Sequence, residues 1–121
     1  MKLLIAAVIS FAAFPALANT NMASGMVEVR DRTQISEFGI NSDLADDLDV
    51  YDANGRKIGE IEEIVGPDRR TAQAIVVDFD DDMAGADDHE RLFPLTAFSF
   101  DGSGLVMADI SGIKDAPIWR D

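Results

Sequence analysis

Cysteine is absent from this chain of 121 residues, and histidine occurs once, as His89. Without cysteine the fold has no disulfide to stabilise it, and thiol catalysis and cysteine-ligated iron–sulfur clusters are excluded. A single histidine cannot build, within one chain, a zinc or copper centre from several imidazoles. We therefore expect the stability of the fold to come from packing.

Basic residues are also few. There are 10 Lys and Arg against 23 Asp and Glu, which gives a formal net charge of −13. Proteins that bind nucleic acid use Lys and Arg to release the counterions of phosphates, and this chain carries the opposite excess. We therefore expect no nucleic acid as a partner, and anionic membrane surfaces are poor partners. The charge suits cations, basic proteins or solubility in a salty medium, and the 47% of hydrophobic residues indicates a chain that folds.

The motifs of common catalytic sites are missing as well. There is no G-x-G-x-x-G or P-loop motif for nucleotides, and "DGSG" at 101–104 is not the G-x-S-x-G turn of serine hydrolases. Paired carboxylates serve glycosidases, but with 23 acidic residues neighbouring pairs are expected by chance. We predict a protein with no catalytic residues, which is not an enzyme.

The N-terminal apolar run is too short to cross a membrane. An uncharged stretch over 3–14 follows Lys2, Pro15 interrupts it, and Ala16-Leu17-Ala18 comes next. A transmembrane helix needs about 20 apolar residues, whereas this three-part layout is typical of a secretory signal. We predict a signal peptide over 1–18, no stable membrane insertion after its removal, and a periplasmic or secreted protein.

From residue 49 onward the sequence alternates strands and turns. Asp52-Ala53-Asn54-Gly55 is typical of a tight hairpin, because Asn and Gly accept the positive φ angles that such a turn needs. The clearest strand is "TAQAIVVDF" at 71–79, which places Ile75, Val77 and Phe79 on one face. Strands with turns about every eight to twelve residues predict a small antiparallel barrel or sandwich.

The segment "KIGEIEEIVG" at 57–66 has two interpretations. Ile58, Ile61 and Ile64 recur at helical spacing, which favours a short amphipathic helix. Gly59 is costly inside a helix, and a hairpin turn comes just before, which favours a bent strand with a bulge near Gly59. The residues alone do not choose between them.

The flanks of this region carry weaker signals. "MVEVRDR" at 26–32 predicts a short edge strand, and Ser42 to Asp47 predicts one helical turn with Ser42 as its N-cap. Near the other end, a turn of helix is expected from Ile113, stopped by Pro117.

The stretch "LDVYDANGRKIGEIEEIVGPDRRTAQAIVVDF" at 48–79, followed by "LFPLTAF" at 92–98 and "DGSGLVM" at 101–107, resembles the PRC-barrel domain. That family includes the barrel of the H subunit of bacterial photosynthetic reaction centres and part of a ribosome maturation factor. The resemblance covers 42–110 and implies a closed antiparallel barrel of about six strands, mainly β, in which 57–65 is a strand. Because most barrels of this family are interaction modules, it also implies that the partner is another protein.

Together with the predicted signal peptide (1–18), the resemblance divides the chain into an N-terminal extension (19–41), a PRC-barrel-like domain (42–110) and a C-terminal tail (111–121). The chain departs from the family in one connection. Where the family commonly has a glycine-rich, weakly charged loop between its third and fourth strands, this chain has the acidic sequence "DDDMAGADDHE" at 80–90.

This acidic segment also has two interpretations. Hard cations such as Ca²⁺ bind six to eight oxygen atoms, which a dense set of carboxylates supplies. The EF-hand pattern fails, however, because from Asp78 its sixth position is Met83 and its twelfth is His89. One interpretation is a solvated connection whose charges keep a sheet edge from pairing. The other is a Ca²⁺-type site with the ligands Asp80, Asp82, Asp87 and Asp88.

Ile118 and Trp119 lie beyond the last predicted strand, "LVMADI" at 105–110. An apolar pair that contains tryptophan is typical of an interface with a partner, but such residues also fold back to cover the mouth of a barrel. The sequence thus predicts an exported, non-catalytic protein-interaction module, with cation binding as the alternative.

Overall fold

The computed structural model describes residues 25–80 and 89–120, and this part of the chain is mainly β. The predicted signal peptide over 1–18 lies outside the described residues. The strands are β1 Val27–Glu28, β2 Gln34–Ile35, β3 Ile40–Asn41, β4 Asp49–Tyr51, β5 Lys57–Gly66, β6 Ala74–Phe79, β7 Arg91–Pro94, β8 Ser99–Phe100 and β9 Leu105–Val106. The helical elements are α1 Ser42–Asp46 and two 3-10 turns, Leu95–Ala97 and Ile113–Asp115.

One curled sheet forms the body of the protein. Its strands follow the order β7-β6-β5-β4-β9-β8, β1 pairs with the end of β5, and β2 and β3 make a separate hairpin. The closed antiparallel barrel expected from the sequence is wrong in two respects. The sheet is a half-barrel, since β7 and β8 at its two ends do not pair, and β4 runs parallel to β9.

The outer edge of β7 explains why the sheet stays open. The N–H of Leu92 donates to the carbonyl of Pro117 (2.9 Å), and the N–H of Trp119 donates to the carbonyl of Glu90 (2.8 Å). The C-terminal tail, and not β8, therefore occupies this edge. Pro94 and Pro117 have no N–H to extend the ladder, so the pairing stops after one bridge, between Arg91 and Ile118.

The ambiguous segment is a single strand, β5, so the strand interpretation is confirmed. Pairing with β4 leaves Ile58 as an extra residue, and pairing with β6 leaves Glu62 as a second one. The first bulge lies next to Gly59, as predicted. An extra residue interrupts the two-residue period of a strand, so Ile61 and Ile64 both reach the core at a spacing of three. The apparent helical spacing comes from bulges.

The two faces of the sheet bury separate clusters. The face that carries Ile75, Val77 and Phe79, here called the inner face, belongs to the main core, as predicted. The rings of Phe79 and Phe93 meet edge to face there, with centroids 5.8 Å apart. The outer face holds a smaller cluster, whose members are Val65, Ala74, Val76, Leu92, Trp119 and the partly buried Met26.

Turn chemistry supports the hairpin between β4 and β5. The carboxylate of Asp52 accepts hydrogen bonds from the N–H groups of Asn54 and Arg56, both at 2.9 Å, and Gly55 has a φ of 84°. The predicted turn is confirmed. The predicted cap of α1 is wrong by one residue. The N-cap is Asn41, whose side chain accepts from the N–H of Leu44 (3.0 Å), whereas Ser42 is buried.

Segments assigned by sequence to an extension and a tail are built into the same core. Val29, Ile35 and Phe38 from the N-terminal segment pack in the main core, and the edge strand predicted there is β1. Ile113 from the C-terminal segment joins them, in the short helical turn that the sequence predicts. Among the described residues, no helix has the length and apolar character to span a membrane.

Candidate functional site

An apolar groove of about 270 Å³ lies between β7 and the C-terminal segment. Ten residues of the described chain line it, most of them apolar: Leu92, Phe93, Pro94, Ala97, Asp109, Ser111, Gly112, Asp115, Ala116 and Pro117. A concave, mostly apolar surface with a few polar groups is the usual form of a binding site. No sequence signal marked this groove, because its two walls are separated by about 20 positions along the chain.

A buried arginine fixes the spacing of the two walls. Arg91, on β7, is only 6% exposed. Its Nη1 donates to the carbonyls of Lys114 (3.1 Å) and Ala116 (2.8 Å), which tie the C-terminal segment to the strand. The buried Ile113 anchors the same segment in the main core. The groove is therefore a fixed feature of the fold, since charged hydrogen bonds and apolar burial hold both walls.

Two carboxylates supply the charge of the groove. Asp109 accepts from the hydroxyl of Ser111 (2.6 Å) and from the N–H of the same residue (3.1 Å). These hydrogen bonds lower the pKa of Asp109, with the hydroxyl as the larger cause, so its carboxylate stays ionised well below neutral pH. Asp115, in the 3-10 turn, is the second charged residue that lines the groove.

A second group of carboxylates lies near the outer face of the sheet. Glu62, Asp78 and Glu90 each offer one carboxylate oxygen, and these oxygens lie within 4.8 Å of one another. The bulge in β5 places Glu62 there, and the register of β6 sets Asp78 opposite Glu60. Oxygen ligands lie about 2.3–2.6 Å from Ca²⁺, so two oxygens on opposite sides of the ion are about 5 Å apart. The three side chains are thus close enough to share one divalent cation.

The predicted cation ligands are placed only in part. Asp80 is half-buried, and its carboxylate lies 3.8 Å from the ammonium of Lys57. Asp82, Asp87 and Asp88 lie outside the described residues. The sequence did not single out Glu62 as a ligand, since only the bulge in β5 sets it beside Asp78.

Ile118 and Trp119 occupy the edge of β7. Trp119 is 9% exposed and packs with Val76 and Leu92 on the outer face, while Ile118 is half-buried. The tail thus folds back on the sheet, and the indole is covered by the chain itself.

Asp46 in α1 is a partly buried carboxyl group in an acidic setting. Its Oδ1 is buried and has no hydrogen-bond partner. Burial, and then the nearby carboxylates of Glu28, Asp31 and two neighbours in sequence, raise the pKa of Asp46 to about 6. A raised pKa means that the folded state binds the proton more tightly than the unfolded chain, so the resulting stability is present below pH 4 and is lost as the pH rises through 6.

We predict that Asp46→Asn stabilises the protein at pH 7.5 by about 1 kcal/mol. This is less than the full shift of the pKa implies, because Asp46 is partly exposed and solvent screens its charge. Urea unfolding of both proteins at pH 7.5 and at pH 4.5 measures the difference, which should shrink at the lower pH because the wild-type carboxyl is then protonated. Glu37→Gln, an exposed change at a carboxylate that is not among the charges acting on Asp46, is the control. A gain in stability that is equal at both pH values contradicts the prediction.

The chain matches no protein-family model and no curated protein.

Proposed function

We propose that this chain is an exported, non-catalytic protein-interaction module with a PRC-barrel-like sheet, and that its partner binds in the groove between β7 and the segment 109–117. One observation carries the proposal, namely a preformed apolar groove whose walls are held by the buried Arg91. The hairpin of β4 and β5 lies within the stretch 48–79 that carries the family resemblance, and it supports the description of the sheet as PRC-barrel-like.

Site-specific photo-cross-linking in cells that express the protein tests this function. Gly112 lines the groove and is exposed, and a Cβ added there would meet no atom within 4 Å. A benzophenone amino acid at 112 should therefore preserve the fold and yield an adduct with another protein. The matched control is the same amino acid at Gly25, which is exposed and equally open. An absence of adducts at 112, or identical adducts at both positions, would contradict the proposal.

A second candidate function, cation binding, is favoured by the closeness of Glu62, Asp78 and Glu90. Isothermal titration with Ca²⁺ and Mg²⁺ should give saturable heat. This heat should be lost in the triple variant Glu62→Gln, Asp78→Asn, Glu90→Gln. If the acidic connection supplies the ligands instead, the heat should be lost in the triple variant Asp80→Asn, Asp82→Asn, Asp87→Asn.

The control for both variants removes the same number of exposed charges elsewhere, as Glu37→Gln, Asp43→Asn and Asp47→Asn. Heat that the control also abolishes would indicate general attraction of cations to an acidic chain, and not a site. If the control keeps the saturable heat and one of the other two variants loses it, the residues changed in that variant are the ligands.

A further inference from the structure

The side chains that line the groove accept hydrogen bonds and offer no free donor. Its polar side chains are Asp109, Ser111 and Asp115. The two carboxylates are acceptors, and the hydroxyl of Ser111 already donates to Asp109 at 2.6 Å. Lys114, the neighbouring basic residue, does not line the groove. A ligand that suits these side chains therefore has donors and a positive charge.

The backbone at the edge of β7 likewise offers hydrogen-bond acceptors and few N–H donors. Leu92 uses its N–H toward the tail, and strand geometry turns its carbonyl to the same side. The residue opposite in the tail, Pro117, has no N–H to give to that carbonyl. Pro94, the last residue of β7, has no N–H either. An extended peptide that needs N–H donors from this edge would not find them here, so a partner strand is disfavoured as the occupant.

We propose that the groove binds an arginine side chain of another protein, with its carbon chain against the apolar wall and its guanidinium toward Asp109 and Asp115. Arginine combines an apolar stem with five N–H donors and a charge that persists at every physiological pH. The volume of about 270 Å³ lies just below the range of about 300–1,000 Å³ for sites of drug-sized molecules, and it suits a side chain.

The net charge of −13 argues for a different chain as the partner. Two copies of this protein repel each other, while a basic partner is attracted toward the whole surface. The assignment rests on the proposed function, because it names the chemistry of the partner for the same groove.

Nuclear magnetic resonance titration of the ¹⁵N-labelled protein tests the assignment with three capped peptides that differ at one residue. Their centres are Leu-Arg, Leu-citrulline and Leu-Glu, each flanked by Gly and Ser. Citrulline keeps the shape of arginine and removes its charge. The arginine peptide should cause saturable shifts at Ala97, Gly112 and Ala116, and the citrulline peptide should bind at least about tenfold more weakly, since the charge-assisted hydrogen bonds are lost.

Asp109→Asn combined with Asp115→Asn should weaken the binding of the arginine peptide by about tenfold. Asn at 109 keeps an oxygen that accepts from Ser111, and the two changes remove the negative charge of the groove. Asp43→Asn combined with Asp47→Asn is the matched control and should change the affinity less than about twofold, because these exposed charges do not line the groove and salt screens them. Equal binding of the three peptides, shifts outside the groove, or concentration-dependent self-association through the groove would overturn the proposal.

The two proposals fail in different ways. If the cross-linker at 112 captures a protein and the arginine peptide does not bind, the assignment of arginine is wrong and the interaction function stands. If the peptide binds in the groove and no protein is captured, the chemistry of the groove is supported and its use in the cell is refuted.

Discussion

Replacing Gly66 with alanine is expected to lower the free energy of unfolding by about 3 kcal/mol or more. Gly66 ends β5 in a buried position, and a Cβ there would overlap the carbonyl oxygen of Thr71 and approach its carbonyl carbon to 2.8 Å. Both atoms belong to the backbone, so no side chain can rotate away to relieve the contact. Forced overpacking of this kind typically costs about 1–3 kcal/mol and sometimes more.

Urea unfolding followed by far-ultraviolet circular dichroism measures this loss. The matched control is Gly112→Ala, since an added Cβ at Gly112 meets no atom within 4 Å and its φ of −99° is accessible to alanine. That variant should stay within about 0.5 kcal/mol of the wild type. Similar losses in the two variants would mean that general effects of replacing glycine, and not the contact with Thr71, set the stability.

Replacing Trp119 with alanine is expected to cost about 3 kcal/mol and to free the end of the chain, residues 117–120, from the edge of β7, while Arg91 and Ile113 still hold residues 113–116. The ring is 9% exposed and is the largest side chain of the outer cluster, where it packs with Val65, Val76 and Leu92. Removal of a buried tryptophan typically costs about 3–5 kcal/mol, and an edge position favours the lower value. The backbone bonds of Leu92 and Trp119 across this edge should then exchange their amide protons faster.

Thermal unfolding by circular dichroism is the suitable measurement, because Trp119 is the single tryptophan of the chain and its loss removes the fluorescence signal. Trp119→Phe is the control, and it should cost about 1 kcal/mol since most of the apolar contact remains. If the alanine variant is as stable as the phenylalanine variant, the outer cluster does not hold the tail in place.

Local patterns predicted the parts of the fold that local chemistry decides. The alternation in 74–79 identified β6 and its inner face, and the turn at Asn54-Gly55 identified the hairpin, because side-chain periodicity and φ preferences act within a few residues. In β5 the spacing alone was misleading. Ile61 and Ile64 are three residues apart, as on one face of a helix, but they lie on the same face of a strand because Glu62 is an extra, bulged residue between them.

What the sequence did not reveal depends on contacts between distant segments. The closed barrel was wrong because the tail, through Pro117 and Trp119, pairs with the edge that a closing strand would need. Both walls of the groove, and the approach of Glu62 to Asp78, likewise depend on strand register. No periodicity or turn signal records which edge a tail will cover.

The parallel pairing of β4 with β9 has a consequence for how fast the protein folds. Val50 pairs with Leu105, and all of the strands from β5 to β8 lie between them in the sequence. Closing so long a loop costs conformational entropy before the contacts between β4 and β9 can compensate for it. The hairpins of β5 with β6 and of β8 with β9 join neighbours in sequence and are able to form early. Chains dominated by distant pairings fold slowly, so we expect the joining of these two hairpins to set the folding rate.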